Sequence, residues 1–254
     1  MICLCLLAVA CTVRERLFAP PAGSQPTVAH EISCETESGQ KWCSFRLALT
    51  GNIQPKDVAA VREALEMAAR EPRIAVERIT IDSSGGNALA GFAIGRLLRQ
   101  HGRSLHVARD ARCYSACVLV LAGAVSRQVE GSVGIHHPTI DLPGSTPAEA
   151  DSFFAGFHDE LRDYLREMRV PGALADATMQ APAHGMRILS PAELDSFRLS
   201  RPDPLWEAAI AAKDVVGWGL SRDAYADRER LVAEICPASG AERTVCRGHV
   251  LAWR

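Results

Sequence analysis

"SLHVARDARCYSACVLVLAGA", Ser104–Ala124, decides the fold, because it joins a strand, a polar turn and a buried helix in one run. Its first six residues form a strand pattern, and its last nine, from Ala116, carry no charged side chain. Ser115 stands where the polar turn meets this apolar helix, between Cys113 and Cys117. The stretch predicts a strand that delivers one hydroxyl to the first turn of a buried helix.

The segments on either side continue the same alternation of strands and helices. We predict strands in "FRLALTG" (45–51), "VERITIDSSGG" (76–86) and "EGSVGIHHP" (130–138), and helices in "QPKDVAAVREALEMAAR" (54–70) and "NALAGFAIGRLLRQHG" (87–102). This order of elements, in which strands and helices alternate, predicts parallel strands joined by right-handed crossovers. The fold class is therefore α/β.

The chain after Pro138 changes to helical patterns. Segments 146–168 and 190–197 each begin with a capping-box signal, Thr146 with Glu149 and Ser190 with Glu193. We predict an α/β domain over residues 31–200. The pattern of residues 201–254 predicts a C-terminal appendage of one or two helices.

Composition and the N-terminus bear on the compartment. The net charge of −2 and the lack of a Lys/Arg-rich block argue against nucleic-acid binding. Residues 1–11, "MICLCLLAVAC", are too few to cross a bilayer and predict a secretory signal, or a lipoprotein segment with Cys11 as a lipid-anchored membrane tether. A buried N-terminal strand is the alternative. Residues 12–30, rich in Pro, Ser and Gly, predict a linker.

Six of the nine cysteines lie outside residues 1–11, in three close pairs: Cys34 with Cys43, Cys113 with Cys117, and Cys236 with Cys246. Paired cysteines in an exported chain indicate disulfides. The first and third pairs flank Gly-containing polar segments that could close as small loops. The alternative of a zinc site has the wrong ligand spacing, so we expect no metal and no cofactor.

The middle pair of cysteines needs its own geometry. Residues four apart on one helix are too far apart for a disulfide, so a bridge requires Cys113 to lie off the helix, in the turn before it. The alternative is two buried free thiols beside Ser115. We predict the bridge, because the compartment is expected to be oxidising.

Three successive strand ends, "DSSGG", "RCYSAC" and "IHHP", carry the reactive residues, and an open α/β sheet brings such ends together. Acyl transfer needs a nucleophile, a base and fixed N–H donors. Ser115 would be the nucleophile and His136 the base. Ala116 and either Gly85 or Gly86 would supply the N–H groups of an oxyanion hole. The alternatives are that Ser115 only caps its helix and that His136 is a surface histidine.

"ITIDSSGGNALAGFAIGRLLR", "CYSACVLVLAGA" and "VGIHHP" resemble the proteolytic subunit of Clp protease, over roughly Ile74–Phe197. The resemblance is closest to an exported bacterial branch with a Cys-x-Ser-Ala-Cys motif. It implies the Clp protease/crotonase spiral of ββα units, the nucleophile role for Ser115, and His136 rather than His137 as the base. It also implies a homo-oligomer acting on peptide or protein substrates.

The third catalytic residue departs from that family. The resemblance expects an Asp four residues before Ser190, where this chain has Met186. His184 is the nearest polar candidate to orient His136, and Asp176 and Asp195 lie further away. We therefore predict an exported, ATP-independent serine peptidase, periplasmic or lipid-anchored. The alternatives are a catalytically degenerate Clp-fold peptide-binding protein and a crotonase-type acyl-CoA enzyme, which has no place for a Ser–His pair.

Overall fold

The computed structural model describes residues 27–37, 40–71, 73–139, 146–237 and 240–252. The chain divides into two compact units, one that ends at Arg201 and one that begins at Pro202. The predicted signal or lipoprotein segment 1–11 and most of the predicted linker lie outside the described residues. The last three linker residues were predicted wrongly, because the first strand begins at Val28.

The first unit contains eight strands and six helices among its described residues. The strands are β1 (Val28–Glu37), β2 (Gln40–Ile53), β3 (Ile74–Gly86), β4 (Ser104–Val107), β5 (Arg112–Tyr114), β6 (Ser126–Val129), β7 (Ser132–Ile135) and β8 (Arg187–Ile188). The helices are α1 (Pro55–Arg70), α2 (Ala88–Gln100), α3 (Ala116–Gly123), α4 (Pro147–Glu167), α5 (Ala173–Met179) and α6 (Pro191–Ser196). The short strands β5 and β6 were missed, because each is only three or four residues long.

The strand pairing repeats from one ββα unit to the next. In the units β4–β5–α3 and β6–β7–α4, β4 pairs in parallel with β6, and β5 pairs in parallel with β7. Strand β3 starts both rows, since Thr80 pairs with His106 of β4 and Ser83 pairs with Cys113 of β5. This stacking is consistent with the predicted Clp/crotonase-type spiral, and the mostly parallel eight-stranded sheet with its helices confirms the α/β class.

Helix α3 lies at the centre of the core, and all eight of its residues are buried. A helix that is apolar all round needs cover on every side. Glycines let α2 come close, since a Cβ on Gly123 would lie 2.3 Å from the Cα of Gly95. Helix α4 covers another side, where the buried hydroxyl of Tyr164 donates to the carbonyl of Leu119 at 2.6 Å. The helix that carries Ser115 is thus held rigidly.

Strands β1 and β2 form an antiparallel hairpin at the edge of the sheet. Cys34 and Cys43 face each other in its register and form a disulfide, with their Cα atoms 4.0 Å apart. The predicted cysteine pair is confirmed, although it joins two long strands. Below it, the buried residues Phe45, Leu47 and Leu49 alternate along β2, as a strand with one face on the core requires.

The second unit consists of three helices in the described part of the chain: α7 (Pro204–Trp218), α8 (Arg222–Ile235) and α9 (Gly240–Ala252). The sequence predicted one or two. The disulfide between Cys236 and Cys246 is confirmed and ties the end of α8 to α9. Arg247 of α9 donates to Asp214 at 2.7 Å, and this hydrogen bond lowers the pKa of Asp214.

No helix within the described ranges has the length and apolar character needed to cross a membrane.

Candidate active site

Ser115 occupies the single residue between strand β5 and helix α3. Its backbone has φ 55° and ψ −123°, a conformation that non-glycine residues rarely adopt and that costs about 1–3 kcal/mol. Its N–H donates to the carbonyl of Gly134 at 2.9 Å, which fixes the turn to β7. The side chain makes no capping hydrogen bond, so the alternative of a simple helix cap is wrong. The strained turn aims the hydroxyl away from its own helix.

A disulfide fastens this turn on both sides. Cys113 lies in β5 and Cys117 in α3, their Cα atoms are 5.1 Å apart, and both side chains are buried. The prediction that Cys113 must leave the helix for the bridge to form is confirmed, and the alternative of two free thiols is wrong. Because the bridge spans Ser115, it limits the backbone movement of the turn that holds the hydroxyl.

His136 directly follows β7 and contacts Ser115. Its Nε2 lies 2.7 Å from the Oγ of Ser115, and its Nδ1 lies 2.7 Å from the carbonyl oxygen of His137. A carbonyl only accepts, so Nδ1 carries the proton and Nε2 accepts from the serine hydroxyl. The ring of His137 packs against Phe154 in an edge-to-face arrangement, with the ring centroids 4.9 Å apart. The geometry therefore fixes the tautomer that a general base needs.

In a full triad, a carboxylate accepts the hydrogen bond from Nδ1 of the base. Here the backbone carbonyl of His137 takes that place at Nδ1 of His136. Gly134 pairs with Ile188 and Ile135 with Arg187, so Met186 and His136 are the next residues just beyond this antiparallel register. A Cβ on Gly134 would lie 2.5 Å from the Met186 side chain, which therefore packs on β7. This carbonyl contact could not be predicted from the residue types, because it needs no particular side chain.

Three other side chains were candidates for the third residue. His184 is exposed, and its predicted contact with His136 is not among the hydrogen bonds of the described residues. The Asp176 carboxylate accepts from His158 at 2.9 Å and from Arg162 at 3.3 Å, and the Asp195 carboxylate pairs with Arg201. Neither aspartate restores a triad in this geometry.

The predicted glycines lie against the nucleophile. Gly85 has φ 107°, and a Cβ there would lie 2.7 Å from the Cβ of Ser115. Its N–H donates to the Ser83 hydroxyl at 3.1 Å. Gly86 has φ 135° and, together with Ala116, lines the cavity in front of Ser115. Ala116 is the first residue of α3, where helix N–H groups lack intrahelical partners.

Ser115 and His136 open into a cavity of about 790 Å³. One face of α4 forms its outer wall, through Ser152, Phe153, Gly156, Phe157, Glu160 and Leu161. Val118, Leu119 and Leu174 add apolar surface opposite. The cavity is a cleft of the size that holds part of a chain molecule or a small ligand. The sequence pattern predicted α4 as an amphipathic helix but did not assign it to the site.

Comparisons with known proteins show a likeness to solved structures. No known family profile matches the chain, and no curated protein matches it. Among solved structures, the chain is similar to a mutant of the 1510-N membrane-bound stomatin-specific protease. The TM-score is 0.48 and the sequence identity 16%, over 60% of this chain and 75% of that chain.

Proposed function

We propose that this protein is an exported serine peptidase that hydrolyses peptide bonds without ATP, with Ser115 as nucleophile and His136 as general base. One observation carries the proposal, the 2.7 Å contact between Nε2 of His136 and Oγ of Ser115 on a strained strand-to-helix turn. A serine hydroxyl becomes nucleophilic when a base in hydrogen-bond reach takes its proton.

In the proposed reaction, Oγ of Ser115 attacks the scissile carbonyl carbon while Nε2 of His136 takes the hydroxyl proton. The N–H of Ala116, with that of Gly86 rather than that of Gly85, which already donates to Ser83, stabilises the negative oxygen that develops. The C–N bond then breaks, and His136 returns the proton to the leaving amine. Water, deprotonated by the same histidine, hydrolyses the acyl-enzyme and frees Ser115.

The backbone carbonyl of His137 supports a slower version of this chemistry. It holds Nδ1–H and so fixes the ring and its tautomer. It carries only a dipole, whereas the carboxylate of a full triad stabilises the imidazolium with a whole charge. We therefore expect a Ser–His dyad with a lower rate than a triad. The positioning role predicted for His184 stays a prediction, which a His184→Ala variant tests through the reaction rate.

The surroundings of the dyad favour peptide substrates. The cavity walls are mostly apolar, with His136 and Glu160 as the ionisable side chains among the lining residues that the structure describes. A peptide could lie along the α4 wall with its carbonyl at Ser115. We assign this reaction to the unit that ends at Arg201, since it contains all residues of the site.

The disulfides support the location. Three disulfides are typical of proteins that fold in an oxidising compartment, and this agrees with an exported protein. We propose the periplasm, with tethering through a lipidated Cys11 as a further step of the same proposal. We also propose assembly into a homo-oligomer, as the family resemblance implies.

A second candidate function is a peptide-binding protein that no longer turns over substrate. Met186 favours it, because this chain has a thioether at the position where the family resemblance expects the carboxylate that orients His136. The two functions predict different effects of removing the Ser115 hydroxyl. Loss of cleavage with retained binding indicates a peptidase, and binding without any cleavage by the wild type indicates a binding protein.

The test is cleavage of a mixed peptide library by the oxidised protein without ATP, followed by mass spectrometry. We expect products from the wild type and none from Ser115→Ala. Ser152→Ala is the matched control, because it removes a hydroxyl from the same cavity and leaves the dyad intact. A folded wild type that yields no product would exclude the peptidase, and equal cleavage by Ser115→Ala would exclude the nucleophile.

A further inference from the structure

Four arginines surround a second, shallow depression of about 580 Å³ in the first unit. They are Arg162, Arg166, Arg169 and Arg198, and the other described lining residues are Val170, Pro171 and Gly172. The lining includes no acidic side chain. Guanidinium groups bind phosphate with paired, charge-assisted hydrogen bonds, so several of them on one concave surface form a ready anion site.

The first three arginines follow one stripe of α4 and its end. Residues 162 and 166 are four apart, which sets them one above the other on α4, and Arg169 follows directly after the end of this helix. Arg162 donates to Asp176 at 3.3 Å, and Arg166 pairs with Asp163. These exposed ion pairs are weak, so the two guanidinium groups can exchange them for contacts with a multiply charged anion.

Arg169 and Arg198 occupy backbone positions that normally favour glycine. Their φ angles are 53° and 56°, and each follows the last turn of a helix, α4 or α6. The N–H groups of Val170 and Leu199 close both turns by bonding back to Leu165 and Leu194, the pattern of a helix end that is commonly glycine. Arginine therefore stands at two positions beside this depression where glycine would fit the backbone better. We infer that the two guanidinium groups serve ligand binding there.

A buried arginine fixes these two helix ends to each other. Arg127 is 2% exposed and donates to the carbonyls of Met168 at 3.2 Å and of Arg198 at 2.9 Å. It also donates to Ala122 at the end of α3, at 2.7 Å. Because the guanidinium group of Arg127 bonds to three chain segments, it holds the backbone at the two helix ends in place. The backbone that carries Arg169 and Arg198 therefore loses little conformational freedom when a ligand binds.

We propose that the depression of Arg162, Arg166, Arg169 and Arg198 binds a phosphate-bearing anion, independently of the Ser115 site. The ligand class is a multiply charged phosphate group, either on a free phosphorylated molecule or on a lipid headgroup. Both sources present the same chemistry to the arginines, and the experiment below separates them.

The test measures binding of inorganic pyrophosphate by calorimetry, and sedimentation with phosphatidylglycerol-containing or pure phosphatidylcholine vesicles, at about 50 mM salt. The site variant combines Arg169→Gly with Arg198→Gly, which removes two charges where glycine suits the backbone. The control combines Arg62→Gln with Arg109→Gln, two exposed arginines outside the depression. Both variants change the net charge equally.

We expect the site variant to weaken the binding by roughly tenfold or more, because charge-assisted hydrogen bonds are lost, and the control to bind like the wild type. Pyrophosphate binding without vesicle binding would indicate a free ligand, and binding to anionic vesicles a headgroup. Absence of both, or equal binding by wild type and site variant, would overturn the proposal, as would an equal loss in the control.

Thermal unfolding separates this role from a structural one. If the arginines only stabilise the helix ends, the glycine variant unfolds at a lower temperature than the wild type. The proposal predicts an unchanged or higher midpoint, because glycine relieves the positive φ. If that variant did not fold, the binding test would be repeated with Arg162→Gln combined with Arg166→Gln, two changes on the solvent-exposed face of α4. Weaker binding than the wild type would support the site, and equal binding would overturn it.

Discussion

Met186→Asp should speed the reaction at Ser115, because it returns a carboxylate to the position where the family resemblance expects one. Ile135 pairs with Arg187, so residues 136 and 186 are the next residues on each chain, and the Met186 side chain packs on Gly134 of β7. An aspartate side chain from that position can reach Nδ1 of His136. It would replace the carbonyl dipole of His137 with a full negative charge.

The expected gain follows from the charges. An imidazolium and a carboxylate about 4 Å apart attract by about 4 kcal/mol at an effective dielectric of 20. Removing the carboxylate from water offsets part of this attraction. The tautomer is already fixed by the His137 carbonyl, so that part of a triad's advantage is present in the wild type. We expect a net gain of about 1.4–2.8 kcal/mol, or roughly 10–100-fold in kcat/KM.

The assay is kcat/KM for a peptide that the wild type cleaves, together with the rate of Ser115 labelling by a fluorophosphonate. Met186→Asn is the control, since it has nearly the same shape without the charge and should give no comparable gain. Met186→Asp combined with Ser115→Ala should remain inactive. A folded Met186→Asp variant with wild-type or lower rates would mean that the missing charge at residue 186 does not limit the reaction.

Three further perturbations test the site. Gly85→Ala should abolish fluorophosphonate labelling and lower the free energy of unfolding in urea by about 2–4 kcal/mol. The reason is that the new Cβ would lie 2.7 Å from the Cβ of Ser115, on a backbone with φ 107°. Labelling at the normal rate would contradict this. Removing the bridge with Cys113→Ala and Cys117→Ala should lower the free energy of unfolding by about 2 kcal/mol, from the chain-entropy effect of a short loop, and slow the labelling. An unchanged labelling rate would mean that the turn does not need the bridge. Gly156→Phe should fold normally, since a Cβ there has no atom within 4 Å, yet lower cleavage of peptides with bulky side chains more than that of small ones; an equal effect on both would exclude the α4 wall from substrate binding.

The sequence predicted the parts of the fold and site that depend on local pattern. The helical signals around Thr146 and Ser190 correspond to α4 and α6, each with the expected capping box. The contact between Ser115 and His136 was expected because strand ends of an α/β sheet converge. The disulfide across Ser115 was expected from spacing, once Cys113 was assigned to the turn rather than the helix.

The third residue could not be predicted from sequence, because its partner is a backbone atom. Every residue has a carbonyl, so the bond from His136 to the carbonyl of His137 leaves no trace in residue types. Asp176 and Asp195 were open candidates because sequence distance does not reveal that arginines on neighbouring segments pair with them. Short strands such as β5 were missed for a related reason, since three residues carry too little pattern.

The most direct measurement is the site and rate of covalent labelling of the oxidised protein by a fluorophosphonate, read by intact mass and peptide mapping. We predict one adduct, on Ser115, that is absent in Ser115→Ala and at least about a hundredfold slower to form in His136→Ala, since a positioned general base contributes about 10²–10⁴-fold. His137→Ala, which keeps the backbone carbonyl, should label close to the wild-type rate. A folded wild type without an adduct, or labelling of His136→Ala at the normal rate, would contradict it.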